Sequence, residues 1–317
     1  MSTIHFLNVD EGDCNIIQHN SNRVSVIDVC CAKPEKISST QNVIDETFSI
    51  EKYKGNFNQK ANPENPITYL KKLGVTDIHR YIQTHPDMDH MDGIKALFSA
   101  FNVLNFWDTT NNKEMEEGCS FGSYNEDDWK FYKAIRKSQN SPKVLHLTDG
   151  DSNDFYNSDG LTILSPSTEL VKEANITKDY NDASYVILYQ TSNHKIIFSG
   201  DSGEKTWNFI IDNHRKLVSD IDVLVAPHHG RKTGGNDSYL DVLRPKLTLF
   251  GNAKSEYLDY NAWNNRDLYH ITNNQCGNII LDISSNIDLY ISNKNFAEKF
   301  EKNFWSDEFN AYHIASL

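Results

Sequence analysis

Short apolar runs bounded by polar turns recur along the chain, alternating with segments whose apolar residues return every three or four positions. The first kind predicts strands and the second helices. Residues 4–9 read as a first strand, and 14–18 as its hairpin partner across the turn Asp10-Glu11-Gly12-Asp13. Residues 24–29 form a third strand that carries Asp28 at its end. Residues 66–74 predict a short amphipathic helix, with Ile67, Leu70 and Leu73 on one face and Gly74 to stop it. A strand over 78–83 and a helix over 93–101 follow, then strands over 103–107, 144–147 and 161–166. Further strands are predicted over 181–189, 195–201, 221–226, 247–251, 277–283 and 288–292, with a helix over 206–213. Strands interleaved with helices in this way place the chain in the α/β (α+β) class.

Three stretches interrupt the pattern. Residues 32–66 are polar, rich in Asn, Lys, Glu and Ser, and predict an elaborated loop with one helical turn. Residues 108–142 read as an acidic insertion with a helix around 127–137. Its Phe121, Tyr124, Trp129 and Tyr132 form either a small core of their own, the commoner use of aromatics at helical spacing, or a lid over a substrate. Residues 294–317, with Phe296, Phe300, Phe304, Trp305, Phe309 and Tyr312, predict a helical aromatic extension beyond a main domain of 1–293. That extension covers core, or serves with the insertion as a contact for a protein partner or a second copy of the chain.

Composition narrows the function. The 317 residues are 38% hydrophobic, enough for a real core, and no run approaches a membrane span. Five cysteines (Cys14, Cys30, Cys31, Cys119 and Cys276) show no CxxC spacing, so neither a disulfide framework nor a zinc knuckle is expected, and a cytoplasmic location is. Lysine plus arginine number 31 against 44 acidic residues, a net charge of −13. With no basic run, any nucleic-acid substrate must be held by metals and a few local cations.

Those metals have an evident place. The stretch Thr84-His85-Pro86-Asp87-Met88-Asp89-His90-Met91-Asp92-Gly93 packs His85, Asp87, Asp89 and His90 into one turn between a strand and a helix. In extended backbone His85, Asp87 and Asp89 share a face, while His90 points elsewhere and suits a second metal. A solvated helix cap built on Asp92 is the bland alternative. It does not account for two histidines interleaved with two aspartates, a mixture of imidazole and carboxylate that suits divalent metals.

This stretch resembles the HxDxDH signature of the metallo-β-lactamase-fold hydrolases, and more narrowly the branch related to the nuclease-like domain of the ComEC/Rec2 DNA-uptake proteins, which carries an Asp at the position of Asp87. The opening Phe6-Leu7-Asn8-Val9-Asp10-Glu11-Gly12-Asp13-Cys14 is similar to that branch as well, with Asp10 and Glu11 departing from its Gly and Gln. The resemblance runs from roughly residue 4 to residue 290 and implies an αββα sandwich, to which the insertions and the C-terminal helical tail are additions. It implies further that Asp201, in Phe198-Ser199-Gly200-Asp201, bridges two metals, and that Asp28 and Asp13 support ligands from behind. The corner at Asn181, Asp182 and Ser184 lacks the third histidine of zinc-binding members, so Asn181 or Asp182 either completes the first site or touches substrate. In Val225-Ala226-Pro227-His228-His229-Gly230, His228 is taken as the second metal's ligand and His229 as substrate contact or proton donor, the two being interchangeable on sequence alone. Arg231, Lys232 and Thr233 are the local phosphate contacts, with Lys232 steadying the scissile group.

The expected chemistry is phosphodiester hydrolysis by a hydroxide activated between two divalent metals, manganese or zinc, with Asp89 in the catalytic set and DNA as substrate. Hydrolysis of a small nucleotide, ester or lactone is the alternative. A subunit active only with a protein partner is a third reading, drawn from the insertion and the tail.

Overall fold

The computed structural model describes residues 1–34, 55–116, 119–232, 235, 237–254 and 257–317. Residues 35–54 of the polar loop and Thr233 of the phosphate-contact set lie outside the described residues. Two sheets face each other. The strands in chain order are β1 (Ser2–Phe6), β2 (Asn15–Gln18), β3 (Val24–Ile27), β4 (Asp77–Ile82), β5 (Asn102–Trp107), β6 (Lys143–Leu145), β7 (Leu161–Ser165) and β8 (Val186–Gln190). They continue with β9 (Lys195–Phe198), β10 (Val223–Val225), β11 (Leu247–Phe250), β12 (His270–Thr272), β13 (Ile279–Ile283), β14 (Ile287–Ile291), β15 (Phe304–Ser306) and β16 (Ala311–Ser316). A ten-stranded sheet has the order β15-β16-β14-β13-β1-β2-β3-β4-β5-β6, and a six-stranded sheet the order β12-β11-β10-β9-β8-β7.

Side-chain alternation explains why two layers form. In β8, Ile187 and Tyr189 join the core between the sheets, while Val186 and Leu188 face the outer helices. β9 and β10 repeat this, with Phe198 and Val225 inward and Ile197 and Leu224 outward. Ile4, Phe6, Ile17, Ile27 and Ile82 meet them from the larger sheet. Helices cover both outer faces. α1 (Pro66–Lys72), α2 (Ile94–Ala100) and α3 (Glu126–Ile135) pack their apolar sides against Val26, Ile78 and Tyr81, and the helix Glu204–Val218 packs against the smaller sheet.

Several sequence expectations change here. The insertion's aromatics are packed as core: Trp129 and Tyr132 are buried in the cluster that holds Leu97 and Phe106. α2 is capped by Asp128 of α3, which accepts from the amides of Gly93 at 3.1 Å and Lys95 at 3.0 Å, while Asp92 accepts from the Cys31 amide at 3.0 Å. The C-terminal extension is not the helical tail that its aromatic spacing suggests. Only Lys294–Ala297 is helical; β15 and β16 then pair with each other, and β16 with β14, so the stretch extends the larger sheet. Unpaired edge groups on β14 gain more from a strand than an isolated short helix gains from propensity. Among the described residues no helix is long and apolar enough to cross a membrane.

Candidate metal centre

The ligand-rich residues lie where parallel strands of both sheets end. β3 and β4 pair in parallel, as do β9 and β10, and their carboxyl ends deliver Asp28, the loop from Thr84 to His90, Asp201 and the pair His228-His229. Loops at such strand ends are held in place by the sheet yet free of ladder hydrogen bonds, so their side chains can converge.

Asp28 organises the loop after β4. Its φ of 56° is left-handed, a conformation Asp tolerates better than most residues, and its side chain is fully buried. Oδ1 accepts from the Thr84 amide at 2.7 Å, and Oδ2 accepts from the Thr84 hydroxyl at 2.5 Å and from His90 Nδ1 at 2.7 Å. The Thr84 oxygen accepts in turn from His85 Nδ1 at 3.0 Å. One carboxylate therefore fixes the tautomers of two imidazoles, one directly and one through a hydroxyl. A second carboxylate does the same for a third: His229 Nδ1 donates to Asp13 Oδ1 at 3.1 Å. With one proton held on each Nδ1, loss of any second proton leaves the lone pair on Nε2, the form in which histidine binds metals.

Those lone pairs converge. Ligand atoms of Asp89, His90, Asp201 and His229 all lie within 4.8 Å of one another. Asp201 Oδ1 is 3.1 Å from His90 Nε2 and 3.5 Å from His229 Nε2, and Asp89 Oδ2 is 3.7 Å from His229 Nε2. The other oxygen of Asp201 faces a second group: Oδ2 is 3.8 Å from His85 Nε2 and 3.6 Å from His228 Nε2, and His85 Nε2 is 3.9 Å from Asp87 Oδ2. The Nε2 atoms of His85, His90 and His229 and Oδ1 of Asp201 are buried without a hydrogen-bond partner. Polar atoms left so in a protein interior are costly, and a divalent cation would satisfy them. The donor set of Asp89, His90, Asp201 and His229 fits such an ion.

Charge is balanced tightly. Burial alone would lower the pKa of His90, yet the carboxylates of Asp201, Asp28 and Asp89 hold it well above the ordinary value. Burial likewise opposes the rise of His229, which Asp201 and Asp13 push up to about 10. Asp201 stays ionised against the penalty of burial because His90, His229 and His85 surround it. His228 is the exception, its pKa lowered by burial.

The adjacent histidines face different oxygens of Asp201. His229 is fully buried in the group with Asp89 and His90, whereas His228 is 27% exposed and faces the other oxygen of Asp201. Both residues are left-handed, with φ of 52° and 58°. Consecutive side chains in that turn enter the same hollow from different sides, which no periodicity foretells. Gly200, φ +48°, lets the Asp201 turn pass the Thr84 side chain, since a Cβ there would lie 2.9 Å from Thr84 Cβ. Gly12 does the same beneath the loop, where a Cβ would stand 2.1 Å from the Asp89 carbonyl oxygen.

Other expected residues stand apart. Asp182 pairs with Lys205 at 3.1 Å and its carbonyl accepts from Thr206, which ties the corner to the helix Glu204–Val218. The carbonyl of Asn181 accepts from the Ser184 amide, and Ser184 Oγ is buried without a partner, next to Tyr185, whose amide donates to Thr84 O at 3.0 Å. Lys232 is exposed, and no contact of its side chain with the centre exists among the described residues. Arg231 faces Glu11 at 3.8 Å. A cation that the sequence reading passed over does reach the centre: Lys113 Nζ donates to Asp87 Oδ1.

Two facing mixed sheets between helical layers, with the ligand-type residues at the strand ends, define the metallo-β-lactamase fold, and comparison with a solved structure bears this out. Tm1679, a metal-dependent hydrolase of the β-lactamase superfamily, superposes with a TM-score of 0.51 at 11% identity, over 90% of this chain and 100% of that one. Igni18, a metallo hydrolase from Ignicoccus hospitalis, gives a TM-score of 0.48 at 10% identity, over 89% of this chain and 100% of that one. In sequence the chain is similar to Recombination protein 2 of Haemophilus influenzae, 23% identical over 201 residues. That match covers 62% of this chain and 20% of the relative, so the chain corresponds to about a fifth of that protein's length. No family model matches.

Proposed function

We propose that the chain is a metal-dependent phosphodiester hydrolase that acts on DNA as a nuclease. The observation that carries this reading is the convergence of buried, tautomer-fixed imidazole Nε2 atoms of His85, His90 and His229 on the two oxygens of Asp201. In this reading His85, Asp87, His228 and Asp201 Oδ2 hold a first divalent ion, and Asp89, His90, His229 and Asp201 Oδ1 a second. Ions held there supply Lewis acidity and make water nucleophilic near neutral pH. His229 thus takes the ligand role first expected of His228, and His228 faces the other oxygen of Asp201. Asp87 in place of an imidazole hardens the first pocket and favours manganese over zinc. Asp28, Thr84 and Asp13 hold the ligands and keep each proton on Nδ1. The name of the Haemophilus relative, a recombination protein, supports nucleic acid as the substrate.

A second reading, a small nucleotide as substrate, is favoured by the reach of the insertion to the centre through Lys113 and by the net charge of −13. Incubation of linear single- and double-stranded DNA, and of a dinucleotide, with Mn²⁺, Mg²⁺ or Zn²⁺ separates the two. DNA cleavage by the wild type that Asp89→Ala abolishes establishes the nuclease. Cleavage of the dinucleotide alone establishes the small-substrate enzyme. A metal-loaded, folded protein that cleaves neither refutes both.

A further inference from the structure

The Lys113 side chain is a built feature of the centre. Its loop leaves β5 at Asp108, whose carboxylate accepts from Arg136 Nε and from Tyr132 OH, both at 2.6 Å. Arg136 also donates to the Asn111 carbonyl at 2.7 Å, and Asn111 Nδ2 donates to Tyr132 OH at 2.8 Å. On the other side Asn112 Oδ1 accepts from Tyr180 OH at 2.9 Å, and the Asn112 amide donates to Asn175 Oδ1 at 2.8 Å. The loop is thus fastened to α3 and to the helix Thr168–Thr177 at once. From it Lys113 crosses the Tyr180 ring, with Nζ 5.6 Å from the ring centre, to reach Asp87. Among the described residues no other lysine or arginine forms an ion pair with a member of the ligand set.

The two oxygens of Asp87 face different ways. Oδ2 faces His85, on the side of the first pocket, while Oδ1 faces the ammonium, and both side chains remain partly exposed, at 22% for Lys113 and 34% for Asp87. A divalent ion beside Oδ2 and the ammonium on Oδ1 compete for one negative charge. When the carboxylate takes the metal, the ammonium's hold on it weakens, and a fixed cation is left at the open mouth of the centre.

We propose that Lys113 is the anion-recognising residue of this centre: Asp87 holds it until metal binds, and it then contacts a non-bridging oxygen of a phosphate group on the substrate. The inference rests on the phosphodiesterase reading and deepens it. It moves the phosphate contact from the segment after His229 to the insertion. It also accounts for an acidic chain that binds a polyanion with a local cation and no basic patch.

The test is calorimetric. Mn²⁺ is titrated into wild type, Lys113→Ala and Lys113→Arg, inorganic phosphate is then titrated into the manganese-loaded proteins, and turnover of bis(p-nitrophenyl) phosphate is measured last. Lys113→Ala is expected to bind Mn²⁺ at least as tightly as wild type, because a competitor for Asp87 is gone. Its phosphate affinity is expected to fall about tenfold or more, the effect of losing one charge-assisted hydrogen bond, and Lys113→Arg to restore it. Unchanged phosphate affinity in Lys113→Ala overturns the proposal. Loss of Mn²⁺ binding also overturns it, since Lys113 would then be a prop for Asp87. Lys113-dependent phosphate binding without hydrolysis of the diester upholds the inference and refutes the phosphodiesterase reading instead.

Discussion

Replacement of Asp28 by asparagine keeps the shape of the side chain but puts a neutral NH₂ donor where Oδ2 accepts from the Thr84 hydroxyl and from His90 Nδ1. Asn tolerates the left-handed backbone at φ 56° as well as Asp does, and its shape is the same. The amide must keep its oxygen toward the Thr84 N–H at 2.7 Å, because the opposite orientation sets two buried donors against each other. Its NH₂ then faces His90 Nδ1, which donates to the carboxylate at 2.7 Å in the wild type, and the imidazole can accept only with its proton on Nε2. Nε2 is the atom 3.1 Å from Asp201 and the candidate metal ligand. The expected loss of metal affinity in the second pocket is about 10–100-fold, or about 1.4–2.7 kcal/mol. Asp28→Ala is the blunter variant. It leaves the Thr84 amide and His90 Nδ1 as buried orphan donors at about 1–3 kcal/mol each, and adds about 1–2 kcal/mol for alanine in left-handed backbone. That sum rivals a domain's whole stability of about 5–15 kcal/mol, so asparagine is the informative change. Titration calorimetry with Mn²⁺ and Zn²⁺, alongside thermal unfolding of the metal-free protein, measures both quantities. Wild-type metal affinity in a folded Asp28→Asn protein would show that the tautomer of His90 does not matter, and would refute the argument.

Metal binding should release protons, because the surrounding carboxylates raise the pKa of His90 and push that of His229 up to about 10. Affinity therefore rises with pH up to that value, and calorimetry in buffers of different ionisation enthalpy reads the release directly. Acid should destabilise the fold through His5 and His19, whose pKa values burial lowers from 6.5 to about 4. Between those values the unfolded chain binds protons that the folded one refuses. Stability thus falls as pH drops from 6.5 to 4, by about 3 kcal/mol for each group, and His5→Gln should flatten the slope of urea midpoints against pH. Removal of residues 294–317 should cost about 3–6 kcal/mol through the lost burial of Phe296 and Ile314, and expose the β14 edge to association, checked by unfolding and by light scattering.

Much of the centre was legible because its chemistry is local. His85, Asp87, Asp89 and His90 fall in one turn, while Asp201 and the histidine pair, weak signals by themselves, drew their meaning from the family resemblance. Asp28 and Asp13 were singled out by the resemblance alone, and their carboxylates accept from His90 and His229. The division between His228 and His229 was not, since it depends on two left-handed residues in succession. Nor was Lys113, which lies in an insertion whose sequence pattern carries no register relative to the sheet. The tail misled for a related reason. Phe296, Phe300 and Phe304 repeat at helical spacing, but the non-local pairing of β16 with β14 decides the outcome, and a propensity-based reading does not see it.

That the centre draws on both layers has a consequence for how the protein fails. The loop at 84–90 hangs from one sheet, and Asp201, His228 and His229 hang from the other, so the gap between sheets is itself a coordinate of the ligand geometry. Phe198 and Val225, three residues before Asp201 and His228, fill that gap. A bulkier side chain at either would spread the ligands as a wedge opens a hinge, without touching one of them. Loss of metal would therefore appear among variants of the greasy interior as readily as among variants of the histidines, and their sites would trace a line from the ligands into the middle of the molecule.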